Sequence, residues 1–179
     1  KPERVLFLGD SDTATNAEFS RHAQFLADAL KPILVLLPRL PLDGHGKGID
    51  DCRAALGAKK FTSFWRKLVA SAESIDLKSD FGSLAVRLLE REAEGIRALT
   101  GVDREKCVRR VATMGAALAR QPLAFDRLKT FVEKALGISR AAFNKAANDA
   151  QAERSREAKE RAAGSTASTQ TPDGDHGNP

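Results

Sequence analysis

Two short apolar runs, Val5 to Leu8 and Ile33 to Leu37, flank a single amphipathic stretch, and this arrangement leaves the first third of the chain very few folds. The first run ends at Gly9, and its length and punctuation suit a buried strand. Between the runs, Phe19, Ala23, Leu26, Ala27 and Leu30 recur at three- and four-residue spacing, so a helix from Asn16 to Leu30 carries them on one face. Lys31-Pro32 ends that helix, because proline has no N–H to continue the ladder. The second run is partly β-branched and is closed by Pro38 and Pro41. Strand, helix, strand in this order is a β-α-β unit, for which parallel strands and a right-handed crossover are expected.

Leu42 to Gly48 reads as a glycine-rich loop, and Asp50 to Leu56 as a short helix stopped by Gly57. From Phe61 onward the apolar period is helical. Phe61, Phe64, Trp65, Leu68, Val69 and Ala72 share a face. A second helix fits Ser83 to Leu99, with Ser79 or Asp80 near its cap, and a third runs from Arg104 to Arg120 behind Asp103. Pro122 suits the first position of a fourth, whose stripe is Phe125, Leu128, Phe131, Val132, Ala135 and Leu136. Gly137 stops it, and Ser139 caps a fifth from Arg140. The stretch from Asp149 to Ala163 has helix formers but no wide apolar face. After about Gly164 there is almost nothing to bury, so disorder is expected. The predicted fold class is therefore α/β plus α. Residues 1–58 form a small parallel β-α-β unit, 59–150 a basic helical domain, and 151–179 a frayed helix with a disordered tail.

Charge separates these parts. Residues 1–58 hold 7 basic and 8 acidic side chains, residues 59–150 hold 18 and 11, and residues 151–179 hold 4 and 5. The basic excess lies in the middle segment alone, where it either attracts a polyanion such as DNA or is a set of solvated helix faces. No segment approaches the roughly 20 apolar residues of a membrane span. The N-terminus has no export signal pattern. Cys52 and Cys107 are far apart, and His22, His45 and His176 are scattered, so the expectation is reduced thiols, no zinc site and a cytoplasmic setting without membrane partners.

Two acidic pairs carry the chemistry. Asp10 and Asp12 follow the first strand two positions apart, and Asp50 and Asp51 follow the second strand after Gly46-Lys47-Gly48. Sites in parallel sheets form beyond the carboxyl ends of the strands. Carboxylates gathered there suit Mg²⁺, which takes hard oxygen ligands and keeps positions for water and phosphate. Each pair also has a plainer reading, as turn and helix-capping acids. Lys47 either meets phosphate or is loop solvation. ALGISRAAFNKAAND reads as helix, glycine turn, serine cap, helix. That is either a helix-turn-helix reading DNA through Arg140, Asn144 and Lys145, or a helical hairpin burying Leu136, Ile138 and Phe143. Trp65 and the phenylalanines lie at core spacing.

The ordered combination VLFLGDSDTATNAEFSRHAQFLADAL, ILVLLPRLP and GKGIDDCRAALG resembles the second half of a Toprim domain. It is more closely similar to the Toprim-like family of plasmid and phage primase–helicase proteins, over about residues 3–58. The resemblance implies a DNA-replication role, Mg²⁺ as cofactor on Asp10 and Asp12, and a later acidic position at Asp50 with Asp51 beside it. Bacterial primases have a related K-D-P-D-E segment, in which Gly48 here replaces the first Asp. Toprim domains also carry a catalytic Glu on an earlier strand. Glu3 stands too close to Asp10 on the same strand for that role, so the general acid/base is expected to come from elsewhere in a parent protein. The chain has no Tyr, which removes a covalent tyrosine intermediate within it. The expected function is thus the Toprim-like part of a primase–helicase, binding Mg²⁺ and nucleic acid for phosphoryl transfer, with a fused or partner helicase. The alternatives are a non-catalytic helical adaptor for DNA or a helicase, and a haloacid dehalogenase-like phosphatase with Asp10 as nucleophile.

Overall fold

The structure is a computed structural model in which residues 3–40 and 48–167 are described, 163–167 as backbone only. The glycine-rich loop except Gly48, and the tail beyond residue 167, lie outside the described residues. The first strand, β1 (Arg4–Leu6), pairs in parallel with β2 (Leu34–Leu37), Val5 opposite Val35. Between them runs α1 (Ala17–Ala29), so the β-α-β unit forms as its periodicity requires. Asn16 caps α1: its side chain accepts from the backbone N–H groups of Glu18 and Phe19 at 3.0 and 3.3 Å.

Helix α2 (Ile49–Ala70) follows, bent at Gly57, whose φ of 70° and ψ of 162° are open to almost no other residue. Gly57 thus ends the helical dihedrals as expected, but a second helical arm restarts at once. A two-residue strand, β3 (Glu73–Ser74), adds antiparallel to β2, with Glu73 opposite Leu37, and completes the order β1-β2-β3.

The remaining elements are helical: α3 (Phe81–Arg91), α4 (Ala93–Ala98), α5 (Gly101–Leu118), α6 (Pro122–Phe131) and α7 (Arg140–Ala167). Two expectations are corrected here. The helix expected over Ser83 to Leu99 is two helices, broken at Glu92, where the side chain turns inward to meet Arg39 and lets Ile96 reach the core. Asp103 is not the cap of α5. Thr100 is, and Asp103 lies in the first turn, where its charge suits the helix N-terminus. Pro122 does open α6, one π turn (Val132–Leu136) extends it, and Gly137 closes it at a left-handed φ of 65°.

Three apolar clusters result. Ala23 and Ala27 of α1, Val35 and Leu37 of β2, Ile75, and Leu84 and Leu88 of α3 fill one side of the sheet. Cys52 and Leu68 of α2 close over Leu40, with Leu8, Phe61, Phe64 and Trp65 packed around them. Leu6 of β1 and Leu34 of β2 are 37% and 47% exposed, and no residue of β1 is fully buried, so β1 is not the buried strand expected. The largest cluster joins Val86, Leu89, Ile96, Met114, Leu118, Leu128 and Val132, all solvent-free or nearly so. Leu136 and Phe143 are buried in it and Ile138 packs against it, as the core-packing reading of this segment expects, with α7 lying mainly against α5. Helix α3 contributes to both the sheet cluster and the helical one, which ties the two parts together. Among the described residues no helix is long and apolar enough to cross a membrane.

Candidate functional site

The carboxyl edge of the parallel pair holds the acidic residues. Beyond β1, the chain tightens at Gly9, where a Cβ would stand 2.2 Å from Thr13 Cγ2 and 2.6 Å from the Phe19 ring. Only glycine lets the Asp10–Thr13 turn fold back this closely. The Thr13 N–H donates to the Asp10 carbonyl at 3.1 Å, and the Thr15 N–H and hydroxyl donate to the Asp12 carbonyl at 3.0 and 2.8 Å. The backbone of the DSD segment is therefore a turn leading into α1, as the plainer reading of these residues anticipates.

The side chains divide three and one. A Cβ built on Gly48 would lie 2.6 Å from Asp50 Oδ1 and 3.7 Å from Asp10 Oδ1. The carboxylates of Asp10 and Asp50, one after each parallel strand, thus face the same small space, kept open by the missing side chain at Gly48. Asp51 meets the same glycine on its amide, its Oδ2 accepting from the Gly48 N–H at 3.1 Å and capping α2. Asp12 reaches across to α5, with Oδ2 3.0 Å from Arg110 Nη1. Of the expected ring of four aspartates, three lie around Gly48, Asp51 on its N–H, and Asp12 is paired with Arg110. Among the described residues, no group of three or more His, Cys, Asp or Glu side chains converges as a metal cluster. A pair of carboxylates still suits Mg²⁺, which is commonly held by one or two carboxylates with water and phosphate completing the shell. Lys47 lies outside the described residues.

Glu3 sits at the opposite end of β1, where its carbonyl accepts from the Leu34 N–H at 3.3 Å.

In the α6–α7 segment, Arg140 is engaged locally. Its Nε lies 3.1 Å from Glu133 Oε2, its Nη2 2.9 Å from Thr130 Oγ1, and its Nη1 3.6 Å from Asp126 Oδ1. The Asp126 carboxyl is held below its usual range, first by the Lys129 hydrogen bond and charge and secondarily by Arg140. Asn144 and Lys145 are exposed on α7. Arg140 thus fastens α7 to α6, and the other two face solvent.

A cleft of about 460 Å³ opens near the end of β2, lined by Arg39, Phe64, Lys67, Leu68, Ser71 and Arg91. No local motif marks it, because its cations come from three elements widely separated in sequence. The one available signal was Arg39, placed two residues beyond a buried strand. Comparison with protein-family models, with curated proteins and with solved structures gives no match.

Proposed function

We propose that the chain is the Mg²⁺-binding, nucleic-acid-handling part of a Toprim-like primase–helicase protein, with Asp10 and Asp50 as its ion-binding carboxylates. The observation that carries this reading is the approach of both carboxylates to Gly48 at the carboxyl edge of the β1–β2 pair. The space that a Cβ on Gly48 would fill leaves room for an ion, and the Asp10 and Asp50 carboxylates border it. Asp10 and Asp50 supply the oxygens, Gly48 leaves them room, and Asp51 fixes the start of α2 so that Asp50 stays at the rim. A bound Mg²⁺ would neutralise and orient phosphate oxygens. The reading assigns the chain binding and positioning, and it includes no catalytic acid/base group.

Titration of the chain with Mn²⁺ as a spectroscopic substitute tests this. Asp10→Asn and Asp50→Asn are expected each to weaken binding at least tenfold, while Asp12→Asn and Asp51→Asn weaken it much less. Equal loss from all four, or binding indifferent to the first two, rejects the assignment.

A second reading, a non-catalytic adaptor for DNA or a helicase, is favoured by the Asp12–Arg110 pair, which commits half of the DSD motif to packing. It is preferred if the chain binds DNA in a salt-sensitive way and shows no divalent-cation dependence.

A further inference from the structure

We propose that the cationic cleft beyond β2 is a nucleotide-phosphate site, in which Arg39, Lys67 and Arg91 hold a phosphate and Phe64 stacks against the attached base. The choice of nucleotide over other phosphate esters rests on the nucleic-acid reading above. The anion site itself rests on separate residues.

The first support is charge. The described lining has three cations, a hydroxyl, an aromatic ring and a leucine, and no carboxylate. The acids that balance the arginines lie behind them and are nearly buried. Glu92, with its side chain 5% exposed, places Oε1 2.7 Å from Arg39 Nε. Glu73, 15% exposed, places Oε1 2.8 Å from Arg87 Nε and Oε2 2.7 Å from Arg91 Nη1. Two carboxylates thus face four cations, counting Lys67, so positive charge is in excess around a concave surface. The contacts to Glu73 are close charge pairs rather than aligned hydrogen bonds, and Arg87 keeps Nη2 buried without an acceptor.

The second support is preorganisation. Arg39 Nη1 also donates to the Arg91 backbone carbonyl at 2.8 Å, which with Glu92 holds the Arg39 guanidinium in place before any ligand arrives, while Glu73 holds that of Arg91. Guanidinium groups held this way recognise phosphate with less ordering cost than free surface side chains. Lys67 is exposed on the second arm of α2 and has no ion pair among the described residues, which leaves it available to an incoming anion.

The third support is topology. Arg39 emerges two residues past Leu37, at the sheet edge to which β1 leads on its way to Asp10, and Glu73 is the register partner of Leu37 at that edge. The carboxyl edge of a parallel pair is where α/β ligands bind. Phe64 gives the cleft a flat apolar wall, backed by Phe61 at 6.2 Å between ring centroids. A phosphate beside an aromatic face matches a nucleotide better than inorganic phosphate.

The phosphate could belong to a free mononucleotide or to a single strand. Trp65, the only tryptophan in a chain without tyrosine, adjoins Phe64 and provides a fluorescence reporter. The full chain is titrated in EDTA-containing, metal-free buffer with a nucleoside 5′-monophosphate and, separately, with a short single-stranded oligonucleotide lacking a terminal phosphate. Binding of the first supports the free nucleotide as source, and binding of the second alone supports the strand. Lys67→Glu, an exposed position whose folding is checked by circular dichroism, is expected to weaken binding about tenfold or more, as loss of a charged contact does. Phe64→Leu weakens nucleotide binding while leaving competition by inorganic phosphate unchanged. Asp10→Asn has no effect under these conditions, so failure of the metal site and failure of this site are told apart. Binding of neither ligand, or binding indifferent to Lys67→Glu, overturns the proposal.

Discussion

Asp12 on the turn after β1 and Arg110 on α5 meet at 3.0 Å, joining the sheet edge to the helical bundle. Their side chains are 24% and 48% exposed, so solvent screens much of the attraction. Arg110→Ala is expected to lower unfolding free energy by about 0.5–1 kcal/mol in low salt, with the loss shrinking in high salt. Urea denaturation at two ionic strengths measures it. A salt-independent loss above about 2 kcal/mol would mean that Arg110 is chiefly a packing residue.

The bundle depends on a close approach of α5 and α7. A Cβ on Gly115 would stand 2.8 Å from Phe143 Cζ and 3.2 Å from Ala147 Cβ. Phe143 and Ala147 are 2% and 3% exposed and have little room to retreat. Helix propensity alone favours Gly115→Ala by about 1 kcal/mol, whereas overpacking costs about 1–3 kcal/mol. Net destabilisation is expected, read as a lower denaturation midpoint. A more stable variant would show that the two helices can separate freely.

Cys107 is buried in the helical core, and burial pushes its thiol above the usual 9.0, outweighing the lowering charges of Arg110 and Arg104. Between the unfolded and the higher folded value, the native chain keeps a proton that the unfolded chain has released. Stability therefore falls as pH rises through that window, from about 9 upward. Denaturation midpoints for wild type and Cys107→Ala across this range are expected to converge as pH rises. Midpoints that stay parallel would contradict the assignment.

Local chemistry made much of the scaffold legible. The spacing of Phe19, Ala23 and Ala27, the stop at Gly57, the proline at 122 and the Gly137–Ser139 turn act within a few residues, and the structure follows them. What was not legible depends on distant partners. Glu92 continues a helical pattern and breaks the helix because Arg39 receives its charge. Strand β3 is two residues that pattern alone would not mark, and it exists by pairing with β2. The acidic residues were found in sequence, but not their division. The Asp51 cap on the Gly48 amide was open to the capping reading, whereas the Asp12 pair with Arg110 is set by tertiary packing.

The most direct test is an Mg²⁺ titration followed by backbone amide NMR. The account predicts saturable shifts centred on Asp10, Gly48 and Asp50, absent in Asp50→Asn and retained in Asp12→Asn. Shifts scattered over other acidic side chains, or a Gly48 amide that does not respond to Mg²⁺, would contradict it.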